Sequence, residues 1–389
     1  MPSGAGIHAV SKAAARRWLR IAQYNRSLAC EASDLDCPSR YCLLRRDDLC
    51  YAFLRTVQQE NATLPLNSLR LALVVSLIVA VSVARPIQAA TETPKFPAWL
   101  QSHVGTSEGK IAPVVLQRAR ALYQRKLSEG SVTNPCYLAM DATRPSSGRD
   151  GKPGRRFYII CETAKSFRAV SSGYGNGRKL RRADFSNGRQ CAKNFSNAEG
   201  SKLTMGGPYV TAETRTSFKG YFRQSGKREP FHRTFLLFDG EGETANARER
   251  AIGGHQATFV KWQCRFKDQE NPHADKDGYV PYGRLVNYTA GRSNGCTTWS
   301  ESASEEILAL VEGNPTTLYI YPEGRDIDAV ATAVKRGKSL ARTGLYWNAA
   351  CLKAIRTPKF WPKKNLQPII NEWRQSLPKQ PPLELPICK

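Results

Sequence analysis

The sequence has little of what metal and nucleic-acid sites require. Its 389 residues include five histidines and three methionines, and its eleven cysteines do not form the CxxC pairs typical of structural zinc sites. Helix-turn-helix, zinc-finger and RNP-type patterns are absent as well. We therefore predict no metal, no cofactor and no nucleic-acid partner. The net charge of +25 indicates either an acidic polymer or surface nearby, or an even basic surface that keeps the chain soluble.

Apolar runs long enough to cross a membrane are also absent, since a spanning helix needs about 20 residues. The run at residues 71–84 contains fourteen apolar or small residues between two arginines. A basic flank, a short apolar core and alanines soon afterwards are typical of a secretory signal. We predict a signal peptide at residues 66–90, cleaved after Ala89 or Ala90, which would leave no stable membrane span. The mature protein is then expected in the periplasm or cell envelope.

The predicted signal lies far from the start of the chain, whereas an ordinary signal peptide begins within a few residues of it. Residues 1–65 contain four cysteines and show no sustained period or repeat. We interpret them as an over-extended translation start or an unstructured region. A genuine N-terminal extension is the alternative.

Seven cysteines follow the predicted signal. An odd number in an oxidising compartment leaves at least one thiol unpaired or bonded to another molecule. Six paired cysteines and one free thiol is the simplest arrangement, but the spacing does not give the pairing. The seven are Cys136, Cys161, Cys191, Cys264, Cys296, Cys351 and Cys388.

The mature chain is predicted to be mostly β with a short helical lead-in. Residues 91–130 have apolar positions near helical spacing, which predicts the lead-in. From residue 131 to 356, short apolar runs alternate with turns rich in Gly and Asn, as in a sandwich or barrel. Residues 357–389 are basic and rich in proline, and we expect a peripheral tail. The predicted strands are 136–140, 156–161, 166–170, 209–213, 233–238, 250–254 and 317–321, with a short helix at 305–310.

Cys296 lies in the sequence GRSNGC, residues 291–296. Two glycines around a short polar run describe a tight loop that can direct a thiol and several backbone N–H groups at one point. A cysteine acyl-transfer enzyme needs such a nucleophile and such donors for the oxyanion. A buried structural cysteine after a glycine turn would look the same.

His255 ends the strand-like run 251–255, where a strand end would present its ring at an edge. A Cys–His pair can lower a thiol pKa from about 8.5 to roughly 3.5–7.5 and so produce thiolate at neutral pH. A structural role for His255 is the alternative.

Together, four ordered segments resemble the L,D-transpeptidase (YkuD-like) catalytic domain, most closely its murein L,D-transpeptidase-like branch. They read NFSN with GS and MGGPY, then FHR with LLFDG, then NARERAI with GGH, and finally GRSNGC. The segments occupy 194–209, 231–240, 246–255 and 291–296, within the roughly 136–322 that the resemblance covers.

The resemblance implies a YkuD-like β-sandwich and a peptidoglycan L,D-transpeptidase, a transferase of cell-wall biogenesis. Cys296 would form an acyl-enzyme with a tetrapeptide stem and release D-Ala, with His255 as the base. The acceptor stays open between a second stem peptide, an outer-membrane protein and water. The loop residues Ser293, Asn294 and Gly295 would form the oxyanion site with Cys296. Arg292 and His232 are candidate substrate-binding residues, and turn stabilisation is the alternative for Ser293 and Arg292.

Three departures from the family pattern stand out. Residues 262–287 lengthen the segment between His255 and Cys296, as either a lid or a disulfide-pinned insertion, and they bring His273 as an alternative base. Asn294 stands where the wider family often has histidine. Arg233 follows His232 where the branch has glycine.

Two other functions compete with this interpretation. A papain-like wall peptide hydrolase also uses Cys and His, but its cysteine opens a helix, whereas the residues after Cys296 predict turn and strand. An exported, non-catalytic wall-binding module would carry an inert Cys296, buried or in a disulfide.

Overall fold

The computed structural model describes residues 96–148, 150–289, 291–378 and 384–389. All described residues belong to one compact unit, Thr91–Lys389. The predicted signal peptide and the segment before it lie outside the described residues. No helix in these ranges is both long enough and apolar enough to cross a membrane.

The described residues are mostly strands, which confirms the β-rich class. The strands are β1 (Cys136–Asp141), β2 (Arg155–Cys161), β3 (Ser166–Ser171), β4 (Tyr174–Gly175), β5 (Asn194–Phe195), β6 (Gly207–Gln224), β7 (Lys227–Gly240), β8 (Gly253–Gln256), β9 (Thr258–Lys267), β10 (Tyr279–Asn287), β11 (Arg292–Ser293), β12 (Thr297–Trp299), β13 (Thr317–Tyr321) and β14 (Lys359–Phe360). The helices are α1 (Ala98–Gln101), α2 (Pro113–Ser128), α3 (Glu301–Val311), α4 (Gly324–Lys335), α5 (Ala349–Ile355) and α6 (Lys363–Ser376).

Ten strands form one mixed sheet. Eight of them follow the order β12-β8-β7-β6-β13-β1-β2-β3. Strand β10 also pairs with β6, and β9 pairs with β10. The central strands β1 and β13 run parallel, with Leu138 opposite Leu318. Alternate residues of β1 enter two different hydrophobic clusters, one on each face of the sheet. Because both faces are covered, the central strands read as continuous apolar runs rather than as an alternation.

Helix α2 covers one face of this sheet. Its residues Val115, Leu116, Ala119 and Leu122 are buried in the same cluster as Tyr137 of β1. The segment predicted as a lead-in therefore includes a layer of the fold itself. Hydrophobic burial against the sheet, rather than helix propensity, stabilises such a helix.

The expectation of a peripheral tail was wrong. Strand β14 pairs with β5, and Leu366 and Ile370 of α6 are fully buried against Phe185 and Leu203. These two apolar residues, spaced i and i+4, lie on one face of a helix whose other residues are largely polar. The basic composition of the tail obscured that short apolar face.

Three disulfides pair six of the seven described cysteines. They join Cys136 to Cys161, Cys191 to Cys351 and Cys264 to Cys388. Cys296 is a free, buried thiol. The predicted arrangement of six paired cysteines and one free thiol is confirmed, and the free thiol is the predicted nucleophile.

The extra segment before Cys296 is a β-hairpin. Strands β9 and β10 pair antiparallel along their length, and β10 also runs parallel to the outer part of β6, with Tyr282 opposite Tyr221. The disulfide Cys264–Cys388 fixes β9 to the end of the chain. Residues 262–287 are therefore largely a hairpin that a disulfide joins to Cys388.

Candidate active site

The sheet register brings Cys296 and His255 to neighbouring positions. Cys296 directly precedes β12, which runs parallel to β8 with Thr298 opposite His255. Side chains two residues apart on a strand point to the same face. Cys296 and His255 therefore share one face of the β8–β12 pair, one step apart along it.

Two glycines make this arrangement possible. Gly295 has φ +118°, which a residue with a Cβ adopts only at a cost. A Cβ on Gly254 would lie 1.9 Å from the ring of Trp299, so glycine is required where this buried indole passes under β8. Gly295 thus permits the backbone of the loop before Cys296, and Gly254 permits Trp299 to pack closely against β8.

Ser293 closes the loop that holds the thiol. Its hydroxyl donates to the carbonyl oxygen of Cys296 at 2.5 Å and accepts from the N–H of Gly295 at 3.1 Å. The Gly295 N–H is therefore used within the loop, unlike the oxyanion role expected for it. The N–H groups of Asn294 and Cys296 have no acceptor among the described residues.

The residue Cys296 is 8% exposed, and its thiol donates to the carbonyl oxygen of Ala251, with Sγ 3.7 Å from that oxygen. Within the described chain, Sγ makes no hydrogen bond to His255. Burial raises the pKa of Cys296, and the N–H of Gly253 with the charges of Arg250 and Arg233 only partly offsets this. The direction is opposite to the lowered thiol pKa expected from the sequence, because desolvation dominates.

His255 is 6% exposed, and its Nδ1 lies 2.8 Å from the carbonyl oxygen of Gln256. A carbonyl only accepts, so Nδ1 carries the proton and Nε2 keeps a free lone pair. Burial lowers the pKa of His255 to about 4, and the positive charges of Arg233 and Lys219 act in the same direction. At neutral pH the imidazole is therefore an uncharged acceptor.

Cys296 and His255 line one groove of about 580 Å³, within the range of small-molecule sites. None of the residues that line it is acidic. Arg292 is exposed, and its guanidinium donates to the carbonyl oxygen of Asn187 at 2.6 Å. The lining residues are Asn176, Arg233, Phe235, His255, Phe259, Tyr288, Arg292, Ser293, Asn294 and Cys296.

The sequence analysis missed Arg233, Phe259 and Tyr288 as groove residues. The sequence did single out Arg233, because it stands after His232 where the pattern of the resembled branch has glycine. Phe259 and Tyr288 lie at the base of the inserted hairpin, 5.7 Å apart between ring centroids. Their position depends on strand pairing that the sequence does not specify.

His232 and His273 do not join this groove. On β7, Arg233 and Phe235 face the groove, and strand alternation turns the exposed His232 to the other face. The Nε2 atoms of His232 and His273 lie 3.4 Å apart. The structure thus separates these two imidazoles from the Cys296 thiol.

The segments that carry the family resemblance meet around the thiol. Arg250 donates to the carbonyl oxygen of Leu203 at 2.7 Å, and the hydroxyl of Thr204 lies 3.4 Å from the carbonyl oxygen of Gly295. The loop at residues 203–204 therefore connects the segment before His255 to the loop before Cys296.

Comparisons with protein-family models, with curated proteins and with solved structures found no match. Among the described residues, no group of three or more His, Cys, Asp or Glu side chains is arranged to hold a metal ion.

Proposed function

We propose that the protein is a cell-wall L,D-transpeptidase in which Cys296 forms an acyl-enzyme with a tetrapeptide stem. One observation carries the proposal: the one free thiol of the described chain lines the same groove as a buried, uncharged imidazole. Nucleophile and base are the two groups that cysteine acyl transfer needs.

Before the reaction, the Cys296 thiol and the His255 imidazole are both uncharged. The thiol turns from the Ala251 carbonyl to Nε2 of His255, which takes its proton while Sγ attacks the carbonyl carbon before terminal D-Ala. The C–N bond breaks, His255 protonates the leaving amine, and a thioester remains. An acceptor amine or water then attacks the thioester and restores the thiol. Catalytic hydrogen bonds often form only in the substrate complex, which accounts for the resting thiol's other partner.

Two sets of donors support this assignment. The free N–H groups of Asn294 and Cys296 are available to an oxyanion beside Sγ. Arg233 and Arg292 line the groove without an acidic neighbour and supply positive charge for the carboxylates of a wall peptide. Arg233 also favours a thiolate over a thiol, so it stabilises the developing negative charge.

The proposal extends to the fold and the location. We assign the mixed sheet with its covering helices to a YkuD-like sandwich, supported by the meeting of the resemblance segments around Cys296. Three disulfides are typical of proteins that fold in an oxidising compartment, which supports the periplasm or cell envelope. A net charge of +25 suits an acidic wall polymer.

The structure bears on both competing functions. Cys296 precedes a strand, and helix α3 begins only at Glu301, so the helix that a papain-like nucleophile opens is missing at this cysteine. The burial of Cys296 is what a non-catalytic wall-binding module would have. Its free state and its place in the groove favour the enzyme.

Turnover of defined substrates tests the proposal. The wild-type protein and its Cys296→Ala variant are incubated with disaccharide-tetrapeptide fragments, and the products are separated by mass. Release of D-Ala by the wild type alone is expected, with dimers showing transfer and tripeptides showing hydrolysis. Cleavage of any other bond would favour a papain-like hydrolase, and binding without cleavage would favour the module.

A further inference from the structure

The two exposed imidazoles of His232 and His273 face one another on the inserted hairpin side of the molecule. His232 belongs to β7, and His273 lies in the turn between β9 and β10. Forty-one positions separate them in the sequence, yet their Nε2 atoms are 3.4 Å apart. The proposed acyl transfer uses neither of them.

This distance is that of a long hydrogen bond, and it also fits a shared ion. Hydrogen bonds from nitrogen donors are usually about 2.7–3.2 Å long, so 3.4 Å is long for one. Two nitrogens bound to a tetrahedral zinc ion at about 2.0–2.1 Å lie about 3.3–3.4 Å from each other. The observed separation is therefore that of two imidazole ligands on one ion.

The surrounding residues hold both rings in this orientation. The ring of His273 stacks on Phe218, with centroids 4.2 Å apart and planes at 4°, and Phe218 also contacts the ring of His232. The backbone N–H of His273 donates to the side-chain oxygen of Asn271 at 3.0 Å. Asn271 in turn donates to the hydroxyl of Tyr221 at 2.7 Å, which fixes the turn to β6. The stacking and the turn contacts together restrict the positions of both rings.

We propose that His232 and His273 together bind one divalent transition ion, of which Zn²⁺ is the probe. Imidazole nitrogens suit Zn²⁺, Cu²⁺ and Ni²⁺. Since the two histidines are the protein ligands, water or an incoming molecule completes the coordination. The bound ion ties the β9–β10 turn to β7, and binding is weaker than at a structural zinc site with four protein ligands.

Calorimetric titration of the full chain with Zn²⁺ tests this site. All variants carry Cys296→Ala, so that the free thiol does not compete for the ion. The four cysteines of residues 1–65 are common to all variants, and against that background we expect one site whose affinity is at least 10-fold weaker after His232→Gln or His273→Gln. His103→Gln is the matched control, because His103 stacks on Phe167 without a second imidazole, and it should bind like its parent.

A second readout separates ligand loss from misfolding. Zn²⁺ should raise the melting temperature of the parent and of His103→Gln but not of the other two variants, whose melting without metal should be close to that of the parent. Absence of a Zn²⁺-binding site, or a site unaffected by both substitutions, overturns the proposal. Each result is independent of acyl transfer.

Discussion

The groove at Cys296 and the surface at His232 and His273 place the same side chain in opposite surroundings. His255 is buried, is held by the Gln256 carbonyl and has a pKa lowered to about 4. His232 and His273 are exposed and direct their Nε2 atoms at each other. Burial leaves the imidazole of His255 uncharged, the state that we propose for the base, whereas exposure leaves two imidazoles facing each other, the pair that we propose binds an ion. Residue type alone therefore does not assign the role of a histidine.

The largest expected effect comes from replacing His255 with glutamine, compared with the same replacement at His232. His255→Gln should lower the rate of acyl transfer roughly 10²–10⁴-fold, since it removes general-base catalysis. His232→Gln should leave the rate within about 2-fold, because its ring lies outside the groove. D-Ala release at pH 7 measures both. Equal losses in the two variants would contradict the assignment of the base.

Acid titration of stability probes the burial of His255. Its pKa is about 4 in the folded protein against 6.5 for an ordinary histidine side chain, so the unfolded chain binds more protons between these values. The free energy of unfolding should fall as the pH decreases from 6.5 towards 4, by up to about 3 kcal/mol from this residue.

Urea unfolding across this pH range measures the effect, with His255→Gln as the comparison. The wild type should lose more stability than the variant over the same interval. Identical slopes for the two proteins would show that His255 is solvated in solution.

The reactivity of the thiol is the next comparison. Because burial raises the pKa of Cys296, its alkylation by iodoacetamide at pH 7 should be slower than that of free cysteine. The rate should rise with pH to a midpoint above the ordinary range of a cysteine thiol, because burial raises the pKa of Cys296. Mass mapping of the Cys296 peptide gives the rate. A midpoint below pH 7.5 would instead indicate a thiolate–imidazolium pair.

The smallest expected effect concerns the loop. Ser293→Ala removes the hydroxyl that joins the Cys296 carbonyl to the Gly295 N–H and should destabilise the fold by about 1–2 kcal/mol. Thr289→Ala, in an exposed turn, is a control for loss of a hydroxyl. Equal denaturation midpoints for the two variants would contradict the loop-closing role of Ser293.

Short-range patterns gave the sequence analysis its successes. The strands at 136–140 and 156–161 were predictable because apolar runs between turns need only local information. The free thiol followed from the odd number of cysteines. The tight loop that holds Gly295 and Cys296 was predicted from residues adjacent in the chain.

Long-range pairing accounts for what the sequence analysis missed. The long strands β6 and β7 extend well beyond the predicted 209–213 and 233–238, because they are stabilised by each other and by the inserted hairpin. The sequence did not indicate that the Nε2 atoms of His232 and His273 lie 3.4 Å apart, since forty-one positions separate the two residues. Desolvation of Cys296 and His255 was equally invisible, because it depends on which segments cover the site.

Intact-mass analysis of the acyl-enzyme tests the central claim most directly. Wild-type protein quenched in acid shortly after mixing with a tetrapeptide substrate should gain the mass of the substrate minus D-Ala. Peptide mapping should place the adduct on Cys296, and Cys296→Ala should remain unmodified. The absence of an adduct on a Cys296 that is free and open to alkylation, in a reaction that nevertheless releases D-Ala, would contradict the account.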